Sequence, residues 1–407
     1  MRVLIVHNEY QQPGGEDAMA SAEARLLRDA GVDVERLTLT NDDVELGGKL
    51  RLAVGATWNV DGCRRVARAV RQGRFDVVHF HNVMVRFSPA AIRSARAAGS
   101  ATVLTLHNFR TICPKATLFR DGHVCSACVG KTLPMPAIRH ACYRGSRPAT
   151  AALAMSHAVH HLAGTWIRHV DAFITHTAGT RDWFVRGGLP AEKLHVKPNF
   201  VHPIADAAPT LGEGVVYVGR LAAEKGVATL LDAAPNIRGT VTIVGDGPMA
   251  DDVRKLSITM PHVTWLGQRD ADGVRHALHK AAVALVPSVW HEMYPLTILE
   301  AFAAGRPVVA SDMGSMRDMV TDGITGRLVP PGDPVALADA ANQLLAESSE
   351  AVEFGAAGRR WLIEHHSADA QTRRLRQVYD AALVGRHFTA TSEHTDVAAV
   401  NRATASS

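Results

Sequence analysis

The sequence lacks a long apolar run and carries little excess charge. No segment reaches the roughly 18 uninterrupted apolar residues that indicate a transmembrane helix, and residues 1–7 hold only a four-residue apolar run. That run is too short for a secretory signal and favours a first β-strand. The formal net charge of +4 argues against a dedicated nucleic-acid-binding protein, which would concentrate Lys and Arg on one face.

Cysteine is also scarce, with five residues in the chain. Because neither a signal segment nor a membrane span is found, we expect a cytoplasmic protein whose thiols are reduced. Apolar residues make up 47% of the sequence and charged residues 21%, which is ordinary for a globular protein. A length of 407 residues exceeds what one hydrophobic core usually serves and predicts two domains.

Short β-branched runs alternate with helical stretches along the chain. The pattern predicts strands at 3–6, 32–39, 76–81, 102–106, 172–175, 215–218, 240–244, 263–266, 282–286 and 307–310. Helices are predicted between them, among others at 16–30, 63–72, 89–98, 149–169 and 227–234. This alternation is typical of parallel sheets with helices on both faces. The sequence therefore predicts an α/β fold with two Rossmann-like domains that face each other across a cleft.

Breaks in the pattern give the domain boundaries. We expect a first domain over residues 1–200 with a cysteine-containing insertion at 108–148, a linker at 201–213 and a second domain over 214–366. A helix at 367–385, with Ser367 as its cap, is expected to pack back on the first domain. The composition of residues 386–407 predicts a disordered tail.

The most informative pattern lies where the strand 282–286 runs into a loop and a helix. Glu292 in the loop and Glu300 on the helix are separated by seven residues. Pro295 suits the first helical position, since that amide has no partner within a helix. The free amides of the first turn favour an anion, and a carboxylate accepts hydrogen bonds from paired hydroxyls of a sugar or ribose.

Together with residues 301–309, this pattern resembles the E-x7-E motif of family 4 retaining glycosyltransferases, and the resemblance extends to about residue 385. It implies the GT-B fold, with an acceptor-side first domain and a second domain that binds a nucleotide-diphosphate sugar. It implies contact with donor-sugar hydroxyls for Glu292 and with the ribose for Glu300. The other donor-binding residues expected around them are Met293, Tyr294, Pro295, Leu296 and Thr297.

Cations follow the strand 215–218. Arg220 and Lys225 lie in a strand-to-helix loop at the edge of the sheet where the glutamates are expected. Pre-placed cations stabilise the charge that develops on a departing diphosphate, and the matching family motif uses this Arg and Lys on the donor phosphates. Without that context, the bland interpretation is a solvated surface turn.

Glycine-rich turns follow two other strands. Gly14 and Gly15 precede a helix, where they permit close approach of a phosphate or sugar, and the resemblance gives them that role. The resemblance places Gly245 and Gly247 beside the base, and a plain turn is the competing interpretation. Neither half carries G-x-G-x-x-G after its first strand, which weighs against a nucleotide-dependent oxidoreductase.

One histidine has an implied role. His107 follows the strand 102–106, where the family places a histidine beside the reacting carbon and the primary hydroxyl of the sugar. That position implies positioning and electrostatic support rather than nucleophilic attack. The implied catalytic set is His107, Glu292, Arg220 and Lys225. The histidines at 79, 81, 157, 160 and 161 have no such placement.

Four of the cysteines, Cys113, Cys125, Cys128 and Cys142, lie in the insertion, and two of them form a C-x2-C knuckle. Four thiolates with such a knuckle suit a structural zinc site, and free thiols are the alternative.

A second open feature is the arginine-rich stretch 64–74. It fits a solvated arginine face over a buried Ala/Val stripe, or peripheral association with anionic lipid.

The resemblance implies a metal-independent, retaining hexosyltransferase of polysaccharide or glycoconjugate biosynthesis. Its expected partners are a nucleotide-sugar donor and a saccharide or lipid-linked acceptor, met in the cytoplasm or at the inner face of the membrane. A sugar-nucleotide epimerase and a non-catalytic sugar-nucleotide-binding protein remain alternatives. The nucleotide, the sugar and the acceptor do not follow from the residues.

Overall fold

The computed structural model describes residues 1–10, 14–40, 55–201 and 212–403, with side chains described up to residue 385. The linker predicted at 201–213 therefore falls mostly outside the described residues. None of the helices in the described ranges has the length and apolar content needed to cross a membrane.

The first domain is built on a parallel six-stranded sheet with the order β2-β1-β3-β4-β7-β8. Its strands are β1 (Arg2–Glu9), β2 (Asp33–Thr40), β3 (Val77–Phe80), β4 (Ala101–Thr105), β7 (Ala172–Thr175) and β8 (Leu194–Val196), and the insertion adds a small hairpin, β5 (Phe119–Arg120) and β6 (His123–Val124). Its helices are α1 (Gly15–Asp29), α2 (Val60–Gly73), α3 (Ala90–Ala97), α4 (Met135–Arg139), α5 (Arg147–Leu162), α6 (Thr165–Arg168) and α7 (Ala178–Arg186).

The second domain repeats this architecture with the order β11-β10-β9-β12-β13-β14. Its strands are β9 (Val215–Val218), β10 (Val241–Val244), β11 (Val263–Gly267), β12 (Val283–Val286), β13 (Val308–Ser311) and β14 (Gly326–Val329). Its helices are α8 (Val227–Ala233), α9 (Ala250–Thr259), α10 (Ala271–Lys280), α11 (Leu296–Ala303), α12 (Gly314–Met319), α13 (Pro334–Ala346) and α14 (Ser348–His366). The predicted α/β fold with two Rossmann-like domains is confirmed.

Both faces of each sheet are buried, as the continuous apolar runs require. Along β1, Val3 and Ile5 belong to one core cluster, whereas Leu4 and Val6 belong to the cluster on the opposite face. The second sheet likewise separates two clusters. The carboxyl ends of the strands are therefore the places where loops with polar side chains emerge.

The last helix, α15 (Ala368–Ala403), covers one face of the first sheet. Leu375, Val378 and Tyr379 pack in the same cluster as Val3 and Ile5. The Ser367 hydroxyl accepts a hydrogen bond from the amide of Ala370 at 3.3 Å and so caps the helix. The backbone stays helical to Ala403 where a disordered tail is predicted from 386.

Other differences from the prediction have local causes. The helix expected at 149–169 is two helices, α5 and α6, because Gly164 adopts φ 64°, a left-handed conformation that ends a helix. The edge strands β8 and β14 are missed, since they have three and four residues and little periodicity.

Candidate active site

The two loops with the strongest sequence patterns emerge side by side. β9 and β12 are neighbouring parallel strands, with Val215 opposite Val283 and Tyr217 opposite Leu285, although three helices and two strands separate them in sequence. The strand order of the second sheet reverses between them, and ligands of open α/β sheets bind at such a point. Lys225 follows β9, and Glu292 follows β12.

Lys225 and Glu292 form the centre of the site. The Lys225 ammonium lies 2.8 Å and 3.0 Å from the two carboxylate oxygens of Glu292. Glu292 is buried and also accepts a hydrogen bond from the Ser288 hydroxyl at 2.7 Å. Its backbone carbonyl accepts one from Ser315 at 2.9 Å. The carboxylate is thus held by side chains from two loops, while a residue of α12 holds the backbone of Glu292.

The sequence analysis misses three residues that contact this pair, namely Ser288, Trp290 and Ser315. The Lys225 ammonium also lies 5.5 Å from the centre of the Trp290 ring, a cation–π distance. Trp290 and Ser288 belong to the loop already singled out, so their proximity to Glu292 in sequence is the signal that could have found them. Ser315, 23 residues further on, gives no such signal.

Arg220 lies in the loop after β9 but outside this contact. Its guanidinium pairs with Glu224, and its side chain is 59% exposed. The exposed fork is free to turn toward a ligand at the modest cost of a solvent-screened ion pair. The structure therefore brings Lys225 to Glu292 and leaves Arg220 on the rim of the same loop.

The amino terminus of α11 is anchored to the neighbouring strand. Pro295 is the N-cap, one residue before the helical position predicted for it, and the Thr297 hydroxyl donates to the carbonyl of Val218 at 3.1 Å. Glu300 is half-buried, and burial raises the pKa of its carboxyl. Within the described residues this carboxylate has no hydrogen-bonding partner, so its oxygens are available to a ligand.

Met293 and Tyr294, both expected at the donor, contact the first domain. Met293 packs in a core cluster of that domain. The Tyr294 hydroxyl lies 2.5 Å from the imidazole of His366, and its ring lies 5.9 Å from that of His176. The side chains of both residues therefore serve the domain interface, and only their backbone is left for a ligand.

The glycine-rich turns of the two domains require glycine for different structural purposes. A Cβ on Gly15 would lie 3.6 Å from Leu296 at the start of α11, so this first-domain turn faces the helix that follows Glu292. By contrast, a Cβ on Gly245 would lie 1.9 Å from the carbonyl oxygen of Gly219, and one on Gly247 would lie 2.6 Å from that of Leu221. The latter glycines let two loops of the second domain pack backbone to backbone.

His107 emerges after β4 and is half-buried. Its Nε2 lies 2.9 Å from Nδ1 of His81, and His157 and His160 line the same cavity of the first domain. Burial, with nearby His176 and His7, holds the pKa of His107 well below its ordinary value, so the ring is neutral at pH 7. His81, to which the sequence analysis assigns no role, is the direct neighbour of His107.

The four cysteines of the insertion converge on one place. Cys113, Cys125, Cys128 and Cys142 line a single cavity of about 20 Å³, and in the described chain all five cysteines are free thiols. In the described chain, no three of these sulfurs lie within 4.8 Å of one another.

A different group of metal-binding residue types does meet that distance. Within the described ranges, Glu23, His79 and His81 form the one group of three such residues whose ligand atoms all lie within 4.8 Å.

The arginine-rich stretch lies on α2. Val66 and Val70 are buried against the domain. The arginines of the stretch are all exposed, namely Arg64, Arg65, Arg68, Arg71 and Arg74. Exposed Trp58 and Val60 lie just before them. The helix thus has the buried apolar stripe and the solvated basic face that its periodicity predicts.

Comparison with known protein families covers both domains. Residues 14–199 match the family described as "Glycosyl transferase 4-like domain", and residues 212–347 match "Glycosyl transferases group 1". A phosphatidyl-myo-inositol mannosyltransferase of Mycobacterium leprae is 28% identical over 380 residues, which span 88% of this chain and 91% of that protein. A glycogen synthase of Mycobacterium tuberculosis is 30% identical over 62% of this chain and 64% of its own length.

Solved structures show the same fold. Sucrose-phosphate synthase from Thermosynechococcus elongatus superposes with a TM-score of 0.69 at 20% identity, over 93% of this chain and 98% of that one. Anabaena HepE in complex with UDP-glucose superposes with a TM-score of 0.64 at 16% identity, over 94% of this chain and 100% of that one. The chain therefore has the GT-B fold. Its two domains match the 4-like and the group 1 glycosyl transferase models, and it belongs to this family of nucleotide-sugar-dependent, retaining glycosyltransferases.

Proposed function

We propose that the chain transfers a hexosyl group from a nucleoside-diphosphate sugar to a hydroxyl of a lipid-linked or saccharide acceptor, in polysaccharide or glycoconjugate biosynthesis. The observation that carries the proposal is the contact between Lys225 and the buried Glu292. In this proposal Lys225 is the cation for the leaving diphosphate and Glu292 is the carboxylate for the sugar hydroxyls. The two side chains meet where the strand order of the second sheet reverses.

Each remaining residue has a proposed task. Arg220 turns from Glu224 to the diphosphate when the donor binds. Glu300 binds the ribose hydroxyls, and Gly14 and Gly15 close over the donor from the first domain. Lys225 and Arg220 together stabilise the leaving diphosphate without a metal. His107 accepts a hydrogen bond from the sugar, because a neutral imidazole has one acceptor nitrogen.

Thermal unfolding with UDP, GDP and ADP tests the donor site. We expect one of the three to stabilise the protein, by about 2.7 kcal/mol at a concentration 100 times its Kd. Glu300→Ala should remove most of that stabilisation, since it deletes the ribose contact. Glu353→Ala, which deletes an exposed glutamate of α14, is the matched control. If none of the three nucleotides raises the Tm, the proposed donor class is wrong.

We also propose that the cysteine cluster binds a structural zinc ion. Four thiols around one small cavity supply the number and kind of ligands that a closed zinc site uses. Metal analysis of protein purified without chelator should find about one zinc per chain, and the Cys125→Ser/Cys128→Ser variant should hold none. Cys63→Ser, outside the cluster, is the control. Less than half an equivalent of zinc in the wild type would refute the site.

We propose, third, that the basic face of α2 docks on an anionic membrane that presents the acceptor. Charge complementarity supports this choice, because each basic residue near such a surface contributes about 1 kcal/mol. Trp58 and Val60 supply apolar side chains for the interface at one end of the helix. A phosphatidyl-myo-inositol mannosyltransferase among the relatives is consistent with a lipid-borne acceptor.

Co-sedimentation with vesicles tests this surface. We expect binding to phosphatidylglycerol-containing vesicles, weak binding to pure phosphatidylcholine, and at least a tenfold loss in Arg64→Gln/Arg68→Gln/Arg71→Gln. Arg238→Gln/Arg254→Gln/Arg275→Gln removes the same charge from exposed positions of the second domain and should bind like wild type. Equal losses in both triple variants would show a net-charge effect and refute docking through α2.

A further inference from the structure

A complete ion pair is buried in the first domain. Glu23 of α1 is 2% exposed and Lys197, just after β8, is fully buried, and the Lys197 ammonium pairs with one carboxylate oxygen of Glu23. Burying two charges is costly even when they are paired. The two residues are 174 positions apart in the sequence, so no local turn requires the contact.

The second oxygen of Glu23 points toward His81. Glu23 Oε2 lies 3.4 Å from His81 Nε2, and in the described structure neither of these two buried atoms has a hydrogen-bond partner. The other nitrogen of His81 meets Nε2 of His107 at 2.9 Å. Three side chains thus form a continuous series from the buried ion pair to the cleft.

The imidazole of His79, next to this series, has both ring nitrogens occupied by other partners. His79 uses Nδ1 for the Tyr379 hydroxyl at 2.9 Å and Nε2 for the Thr105 hydroxyl at 2.7 Å, and it lies 3.8 Å from Glu23. Although Glu23, His79 and His81 are close enough to surround an ion, Lys197 already balances the carboxylate. The cluster therefore has the character of a hydrogen-bonded network.

The charge state of Glu23 determines which ring nitrogens of His81 and His107 carry a proton. Burial would raise the pKa of Glu23, but Lys197 and the flanking histidines outweigh that effect and hold it below its usual range. Burial lowers the pKa of His81 and of His107, so both rings are neutral. A charged carboxylate accepts only, so a proton on Nε2 of His81 would satisfy both of the unpartnered atoms that face each other there. Its Nδ1 is then an acceptor, and His107 must donate from Nε2.

We propose that Glu23, acting through His81, fixes His107 as the tautomer protonated on Nε2 and so presents the Nδ1 lone pair of His107 to a substrate hydroxyl. Glu23 and His81 are positioning residues, because they reach the substrate only through His107. The inference rests on the proposed function in one respect, namely the contact between His107 and the substrate.

The test uses the full chain with ¹⁵N-labelled histidine. In the wild type, NMR should show His107 protonated on Nε2 and unprotonated on Nδ1, with the signal assigned by its loss in His107→Gln. In Glu23→Met/Lys197→Met, which removes both charges and keeps the volume, we expect a mixture of tautomers. We also expect kcat to fall at least fivefold, with the donor KM within twofold.

The control is Tyr379→Phe, which removes a hydroxyl from the same buried network without touching the series from Glu23 to His107. Its kcat should stay within twofold of wild type. An unchanged tautomer in the double variant, or an equal loss of kcat in Tyr379→Phe, would overturn the inference. Full activity of His107→Gln would instead refute the role proposed for His107, while the NMR result would still test the coupling to Glu23.

Discussion

Lys225→Ala is expected to lower kcat about 100-fold or more. The ammonium is placed before substrate arrives, 2.8 Å from Glu292, and removing one such pre-organised charge-stabilising group typically costs two to three orders of magnitude in rate. The leaving diphosphate gains charge mainly in the transition state. The donor KM should therefore change much less than kcat.

Steady-state transfer kinetics with the donor identified by thermal unfolding measure this effect. Lys255→Ala is the control, since Lys255 is 77% exposed and its ammonium pairs with Asp252 on the surface of the second domain. The Tm of each variant separates lost catalysis from lost folding, because Lys225→Ala also leaves Glu292 without its cation. A kcat within threefold of wild type would rule out the role of Lys225.

Lys197→Met is expected to destabilise the first domain by about 3–5 kcal/mol at neutral pH, the cost of leaving a buried charge without its partner. In the wild type, Lys197 holds the pKa of the buried Glu23 below its usual range, which contributes stability above the ordinary carboxyl pKa. Without Lys197, burial raises that pKa instead. The loss should therefore be largest at neutral pH and shrink as the pH falls and Glu23 takes up a proton.

Urea unfolding at several pH values measures this loss. Lys193→Met is the matched control, because the Lys193 ammonium donates its hydrogen bonds to the backbone carbonyls of Ile167 and Val170 and not to a carboxylate, so about 1 kcal/mol is expected there. Glu23→Met/Lys197→Met should recover most of the stability. A single variant within 1 kcal/mol of wild type at pH 7 would contradict the buried ion pair.

The sequence predicts those parts of the site that are local in the chain. Glu292 and Lys225 are predicted, and the strand pattern places their two loops side by side. Ser288 and Trp290 are missed, although they lie within four residues of Glu292 in the same loop. Arg220 illustrates the limit of this reasoning. Its loop is predicted, but the orientation of its side chain depends on Glu224 and on what occupies the cleft.

Long-range contacts between polar residues could not be predicted. Glu23 looks like one more polar residue on an amphipathic helix, and Lys197 ends a short edge strand that lacks periodicity. His81 and His107 follow separate strands, so their contact needs the order β3-β4 in the sheet. The glycines after β10 show the reverse case, in which a conspicuous motif serves the packing of two loops.

The position of the final helix also bears on how this protein forms during synthesis. Tyr379 and its neighbours complete the apolar cluster that includes Val3 and Ile5, residues more than 370 positions earlier. One side of the amino-terminal sheet therefore stays open while the ribosome makes the rest of the polypeptide. The lobe that is translated first finishes folding last, and until then its exposed valines and isoleucines are a surface that chaperones can bind.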